Sequence, residues 1–401
     1  MSTLKVNKLR DTAGAADAIT LDPNGGAVLA GVTTISTARI TTGITTSIQV
    51  GGGVTISESG IEASGIGITV ANINGGQISG RRNKVINGAM QVAQRGTSDS
   101  GITASEYADG PDRYKLGGSS FGTVTVSQST DSPDGFSNSY KVDVTTANGS
   151  LSAGSLLEIQ TSFEGQDVQA FAKGSSSAKE YTLSFYVKST KTGTYVVMLF
   201  DHDNSRMCCK TYTVSDTNWN RYTLTFPADT TGAFGNDNAK SMSIKFALVA
   251  GTTFTSGTLQ TTWGSGGNAT SRGGQVNFAD NTSNDWYLTG VQLEVGSQAT
   301  AFEHRSYGEE LALCQRYYFK PHLVNNLMPA YQYHSQYKMS VVQFPTTMRT
   351  TPTCTASWAA GSDSDFTQHN NSQDHFKAYR LANYDDGAAY YLDEFAADGE
   401  L

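Results

Sequence analysis

Aromatic side chains are missing from the first quarter of this chain. Phe, Tyr and Trp number 17, 19 and 4 among 401 residues, and every one of them lies at or after Tyr107. A segment without them buries little apolar area, while ordering its backbone costs about 1–2 kcal/mol per residue. That excludes one globular fold spread evenly over the chain. Charge is sparse as well, at 16% of residues, which excludes a coiled coil or a highly charged disordered chain. Its balance is acidic, 36 Asp and Glu against 28 Lys and Arg for a net charge of -8, which disfavours nucleic acid as a partner. No window reaches the ~20 continuous apolar residues of a membrane helix, and Met1–Arg10 has no apolar signal-like core. Membrane insertion is therefore not expected.

Cysteine is scarce too. Cys208, Cys209, Cys314 and Cys354 include no Cys-x-x-Cys pair, and among the six histidines no His-x₃₋₅-His pair lies beside a Cys pair. Neither a disulfide scaffold nor a zinc site fits. Reduced cysteines packed as small hydrophobes are expected, which implies synthesis in a reducing cytoplasm.

What is there divides the chain into five parts. Residues 1–80 are rich in Gly, Thr, Ile and Val, with isoleucine and valine recurring at short intervals from Val32 to Ile78. β-branched residues resist helix and suit extended chain, so short strands joined by glycine turns are expected, such as Ile48–Val50 and Val54–Ile56 around Gly51–Gly53. This region is too poor in apolar area to fold alone. It reads as a shaft whose shared core comes from intertwined copies, with Ile56, Ile61, Ile66 and Ile68 as the core positions. Residues 81–110 read as a hinge.

Residues 111–302 carry strand-like runs every 10–20 residues: 123–127, 140–145, 156–161, 181–188, 195–200, 210–214, 221–226, 243–249 and 286–295. In Tyr181–Lys188, Tyr181, Leu183, Phe185 and Val187 share one parity, as a half-buried strand requires. Many strands with Gly, Asn, Asp and Ser turns predict a jelly-roll β-sandwich. Residues 303–321 read as a linking helix. Ser306 and Glu309 form a capping box, Leu311, Cys314 and Tyr318 follow at helical spacing, and Pro321 ends the run. In 322–401 strand signals resume, giving a small C-terminal β domain. The fold expected is thus all-β and elongated: shaft, jelly roll, one helix, second β domain, assembled as a homotrimer.

The stretch WYLTGVQLEVGSQATAFEHRSYGEELALCQRYYFK, from Trp286 to Lys320, resembles the appendage or tail-fibre proteins of bacteriophages, particularly marine and cyanobacterial phages. MSTLKVNKLRD at the start, NKVINGAMQVAQRGT from Asn83 and FPTTMRTTPT from Phe344 fit the same family. The resemblance implies a trimeric virion protein whose first 80 residues attach to other tail or capsid proteins and whose distal β domains meet a host-surface glycan or protein. The middle region is similar to jelly-roll carbohydrate-binding modules, including the W-x-x-Y-x-L-x-F strand of Trp219, Tyr222, Leu224 and Phe226. A purely structural capsid or collar decoration and a polysaccharide depolymerase are the alternatives.

Catalytic motifs are wanting. The chain has no GxxxxGK[ST], HExxH or GxSxG, and its glycine-rich runs lack the strand-to-helix setting of a phosphate loop. Spacing alone pairs none of the acids Asp109, Asp112, Asp201, Asp203, Glu294 and Glu303. Asp201 and Asp203 are a weak metal candidate, alternate carboxylates suiting calcium, although a strand-ending turn is the commoner explanation of such residues. No cofactor or enzymatic activity is expected. Sugar recognition uses flat aromatic faces with polar neighbours. The candidates are Trp263, in a glycine-rich loop, and Tyr331, Tyr333 and Tyr337, on one strand parity. Trp219 and Trp286, with apolar neighbours, are expected in the core.

Overall fold

The computed structural model describes residues 81–321, 337–359, 367–381 and 391–401, and the short strands at 8–10, 17–21, 27–29, 47–50, 54–57, 60–63 and 331–333. Two compact units divide the chain, Met1–Val70 and Ala71–Leu401.

The first unit contains two antiparallel three-stranded meanders. One is β1 (Lys8–Arg10), β2 (Asp17–Leu21) and β3 (Ala27–Leu29); the other is β4 (Ser47–Val50), β5 (Val54–Ser57) and β6 (Gly60–Ala63). The hairpin expected around Gly51–Gly53 forms as the β4–β5 pair. Its register sets Ile48 opposite Ile56, and Ile56 opposite Ile61, so three isoleucines line up across the sheet. Ile66 and Ile68 lie outside the described residues.

The second unit begins with a ten-stranded β-sandwich. Its strands are β7 (Ser98–Glu106), β8 (Lys115–Ser129), β9 (Ser139–Thr146), β10 (Leu156–Glu164), β11 (Tyr181–Ser189), β12 (Gly193–Asp201), β13 (Arg206–Val214), β14 (Asn220–Phe226), β15 (Lys240–Ala250) and β16 (Asp285–Val295). They follow the path β13-β12-β15-β10-β8-β9-β16-β11-β14, with β7 beside β8. The fifteen-residue strand β8 joins the two layers. Its first residues pair with β10 and its last with β9. At Gly118 φ is +123° and a Cβ would meet the Leu156 carbonyl oxygen at 1.9 Å, so only glycine fits. Each of the nine expected runs lies within a strand. β7 and the first half of β8 are missed, because SDSGITASE and KLGGSS carry no apolar alternation.

Between the layers, Tyr181, Leu183, Phe185 and Val187 are all fully buried, as their parity predicted, with Trp286 among them. Burying each such side chain stabilises the fold by roughly 1.5–3 kcal/mol. The segment 81–110 is not a hinge. Asn83 and Asn87 are buried in the sandwich. Asn83 Nδ2 donates to the Val291 carbonyl, while Asn87 Nδ2 donates to the carbonyls of Val92 and Asp112. Such satisfied buried amides tie a polar segment into a core that its composition does not announce.

After β15 comes a long cover segment, which opens with the four-residue helix α1 (Thr252–Thr255). Helix α2 spans Tyr307–Gln315, and the Ser306 hydroxyl accepts from the Glu309 N–H at 3.4 Å, as the capping box predicts. The helix stops short of Pro321: Tyr318 belongs instead to strand β17 (Tyr318–Phe319). The remaining strands are β18 (Tyr331–Tyr333), β19 (Tyr337–Gln343), β20 (Thr353–Ala359), β21 (Thr367–Asn371), β22 (His375–Leu381) and β23 (Tyr391–Asp398). They form the sheets β17-β23-β20 and β18-β19-β22-β21. A small separate core, with Phe319, Val342, Phe344, Met348, Phe376 and Phe395, holds this part together.

Candidate functional site

The sandwich layer β13-β12-β15-β10-β8 has a second face, away from the main core. Along β10, Leu157, Ile159 and Phe163 enter that core, so Glu158, Gln160, Ser162 and Glu164 line the opposite side. Strand pairing extends each position into a row. Gln160 sits between Lys115 on β8 and Lys245 on β15, and Lys245 pairs onward with Met198 on β12. Ser162 pairs with Ser243, and Ser243 with Phe200. Glu164 pairs with Lys240 because the register skips Ser241, a bulge that returns Lys240 to this face.

The cover segment 251–276 closes one side of the face. Val196, Met198, Met207, Cys209 and Ala247 form a second small core there, with Leu259 and Phe200 packed against it. Arg272, itself buried, pins the cover by pairing with Glu158, and Lys245 Nζ reaches the same carboxylate at 3.1 Å. What stays open is a window of half-buried side chains: Phe200, His202, Lys240, Lys245, Gln160 and Lys115. The Phe200 ring stands edge-on to His202 at 4.8 Å, and the Lys245 ammonium lies 5.5 Å from the ring centroid. His202 Nε2 is 2.8 Å from Ser243 Oγ, which is 2.9 Å from Ser162 Oγ.

The electrostatics of the window are positive. Burial, then Lys240 and Lys245, push the His202 imidazole down to about 4, so it is neutral at pH 7. Burial, then Lys245 and Lys115, push the Lys240 amine down to about 8. Burial alone would raise the Glu158 carboxyl, but Arg272 and Lys245 outweigh it and hold that group below its usual range. Glu164 is likewise held down by Arg316 and Tyr317, with Arg316 Nε at 2.7 Å. Both carboxylates are thus locked in ion pairs. An aromatic edge, an amide and ammonium groups remain, which suits binding rather than group transfer.

The candidates read from the sequence fall elsewhere. Trp263 is half-buried against the main core: its Nε1–H donates to the Pro227 carbonyl at 2.8 Å, and its ring meets Tyr181 edge-on at 5.8 Å. Trp286 is in the core as expected, but Trp219 is half-buried at the surface, donating to Asp131 at 2.9 Å. Tyr333 and Tyr337 are opposite one another in the β18–β19 pair, and Tyr331 is opposite Met339; their side chains lie outside the described residues.

Asp201 and Asp203 do not converge on a metal. Asp203 accepts from the Gly235 N–H, and Asp201 from Asn204. Asp201 also binds the buried Lys173 ammonium at 2.6 Å, together with Asp229 at 3.1 Å and the carbonyls of Thr231 and Gly232. The oxygen cage exists, but a lysine from a distant segment fills it. Among the described residues, no group of three His, Cys, Asp or Glu side chains is placed to hold a metal ion.

A groove of about 670 Å³ lies where Arg95 meets Tyr318, Arg349, Thr353, Thr355 and Asp398. Its charged groups already serve one another. Arg95 stacks 3.7 Å over Tyr318 and pairs with Asp398 and Glu400, while Arg349 donates to the carbonyls of Gly399 and Glu400. This groove holds the two cores of the unit together. The open window was missed in the sequence because its members are spread over residues 115–245; only the alternating parity of β10 and β12 hinted at a shared face.

No protein-family model matches the chain, and no curated protein matches it. Solved structures do resemble it. The enzymatically active domain of tailspike protein 4 from bacteriophage CBA120 aligns over 53% of this chain at 14% identity, with a TM-score of 0.29. The alignment spans only 21% of that tailspike chain. A family 11 carbohydrate-binding module of a Clostridium thermocellum cellulosomal cellulase covers 51% of this chain and 99% of its own at 13% identity, with a TM-score of 0.27. The CBM22-1 xylan-binding domain from Paenibacillus barcinonensis covers 57% of this chain and 100% of its own at 8% identity, with a TM-score of 0.26. The neighbours thus include a phage tailspike domain and carbohydrate-binding modules, and likeness at this level assigns no ligand.

Proposed function

We propose that this chain is a non-enzymatic virion appendage protein that binds a host-surface glycan through the open face of β13-β12-β15-β10-β8. The observation that carries the reading is the window itself. A covering segment leaves Phe200, Gln160, His202 and three lysines together on one side of a rigid sheet, where ring and polar groups can meet a sugar. The absence of enzymatic activity is proposed because the nearest carboxylates, Glu158 and Glu164, are committed to Arg272, Lys245 and Arg316 and are poor proton donors. The virion role is supported by the resemblance of residues 286–320 to phage appendage proteins and by the aromatic-free residues 1–80, which suit a homotrimeric shaft joined to other particle proteins. A tail fibre is preferred over a capsid decoration because a decoration needs no open polar face.

Binding of the labelled full chain to an array of bacterial surface polysaccharides tests the reading. Retention of at least one glycan, weakened about tenfold or more by Phe200→Ala without loss of folding, is expected. No retention on any glycan, with normal adsorption of particles carrying Phe200→Ala, would leave the structural decoration. Release of reducing ends from a bound polysaccharide would instead establish the depolymerase.

A further inference from the structure

We infer that the glycan held on this face is an acidic polysaccharide, whose repeating carboxylate or sulfate groups are received by Lys115, Lys240 and Lys245. This rests on the glycan-binding reading above and narrows it to a ligand class. The chain carries a net charge of -8, so three lysines on one side of one sheet run against its average. Nearby acids neutralise them only in part, through Lys245. Glu158 is shared between Arg272 and Lys245, and Glu164, the cross-strand partner of Lys240, is occupied by Arg316 and Tyr317. Among the described residues, no carboxylate pairs with Lys115 or Lys240.

The Ser241 bulge matters here. Regular alternation from Met242 would send Lys240 into the core, and the skipped residue turns it onto the window instead. There its half-buried amine faces Lys245 and Lys115, and their repulsion helps to drive its proton off. An anion relieves both the burial and the repulsion; a neutral sugar relieves neither. Spacing favours a polymer over a lone anion. Lys115 and Lys245 flank β10 two strand spacings apart, about 10 Å, with the Gln160 amide between them. Successive charges along an extended saccharide can meet such positions.

The test compares the full chain on neutral and acidic saccharides, including polygalacturonate beside its methyl-esterified counterpart. The glycans retained are expected to carry carboxylate or sulfate. Raising salt from 50 to 500 mM should weaken that binding at least tenfold, since exposed charge pairs are screened. The double variant Lys115→Gln, Lys240→Gln should lose at least tenfold in affinity at an unchanged unfolding midpoint, and Lys240→Arg should retain it. Binding confined to neutral glycans, salt-independent binding, or equal binding by the double variant would overturn the acidic-ligand inference and leave the glycan reading standing. Failure to bind any glycan would overturn both.

Discussion

Single side chains set two measurable properties. His202 has a folded value of about 4 against an ordinary value near 6.5, because burial and two lysines oppose its charge. Above pH 6.5 both folded and unfolded states are neutral there, and the full contribution is present. As pH falls from about 6.5 to about 4, the unfolded chain takes up a proton that the folded chain refuses, so stability drops across that window. Urea unfolding at pH 7.5 and pH 4.5 should reveal this loss, and His202→Gln should reduce it. Lys173 is the second case. Lys173→Ala leaves the buried Asp201 carboxylate without its cation, while Asp229 keeps Arg206, and should cost about 3–5 kcal/mol in denaturant unfolding. The turn at Asp201–Asn204 was legible in the sequence. Its cation was not, because Lys173 enters from a segment whose local pattern marks no partner.

At the scale of elements, local rules predicted well where one face is apolar. Strand β11 alternates because Leu183 and Phe185 face the core, and all nine expected runs exist for that reason. Helix α2 begins where Ser306 caps it, so Ser306→Ala should cost about 1 kcal/mol, read as a lowered thermal midpoint. Its end was misread. Tyr318 keeps helical spacing from Cys314, yet pairing with Asp398 of β23 draws it into a strand. The candidate site was less legible still. Gln160, Lys245, Phe200 and Lys115 become neighbours only through the register of four strands. Deleting Ser241 should remove the bulge, leave Lys240 opposite Glu164 and shift the register of the residues before it, lowering stability by more than 1 kcal/mol in the same unfolding assay.

For the whole molecule, the contrast between the aromatic-free segment and the remainder is what motivates the proposed trimeric shaft. The cross-strand row Ile48, Ile56 and Ile61 is where an intertwined shaft would place a shared apolar core. Ile61→Asp should then abolish trimers in sedimentation equilibrium, because a charge would enter that core. Trimers formed normally by this variant, or a monomeric parent, would refute the shaft.

Composition and periodicity by themselves determined the all-β character, most of the strands and the cap of α2. Each depends on interactions within a few residues: strand parity, β-branched stiffness and a side chain reaching its own backbone. Only tertiary structure decided that 81–110 belongs to the sandwich, that Lys173 fills the Asp201 cage and that Trp263 lies against the core. It also assembled the positive window, because register and one bulge bring together residues far apart in sequence whose charges have meaning only side by side.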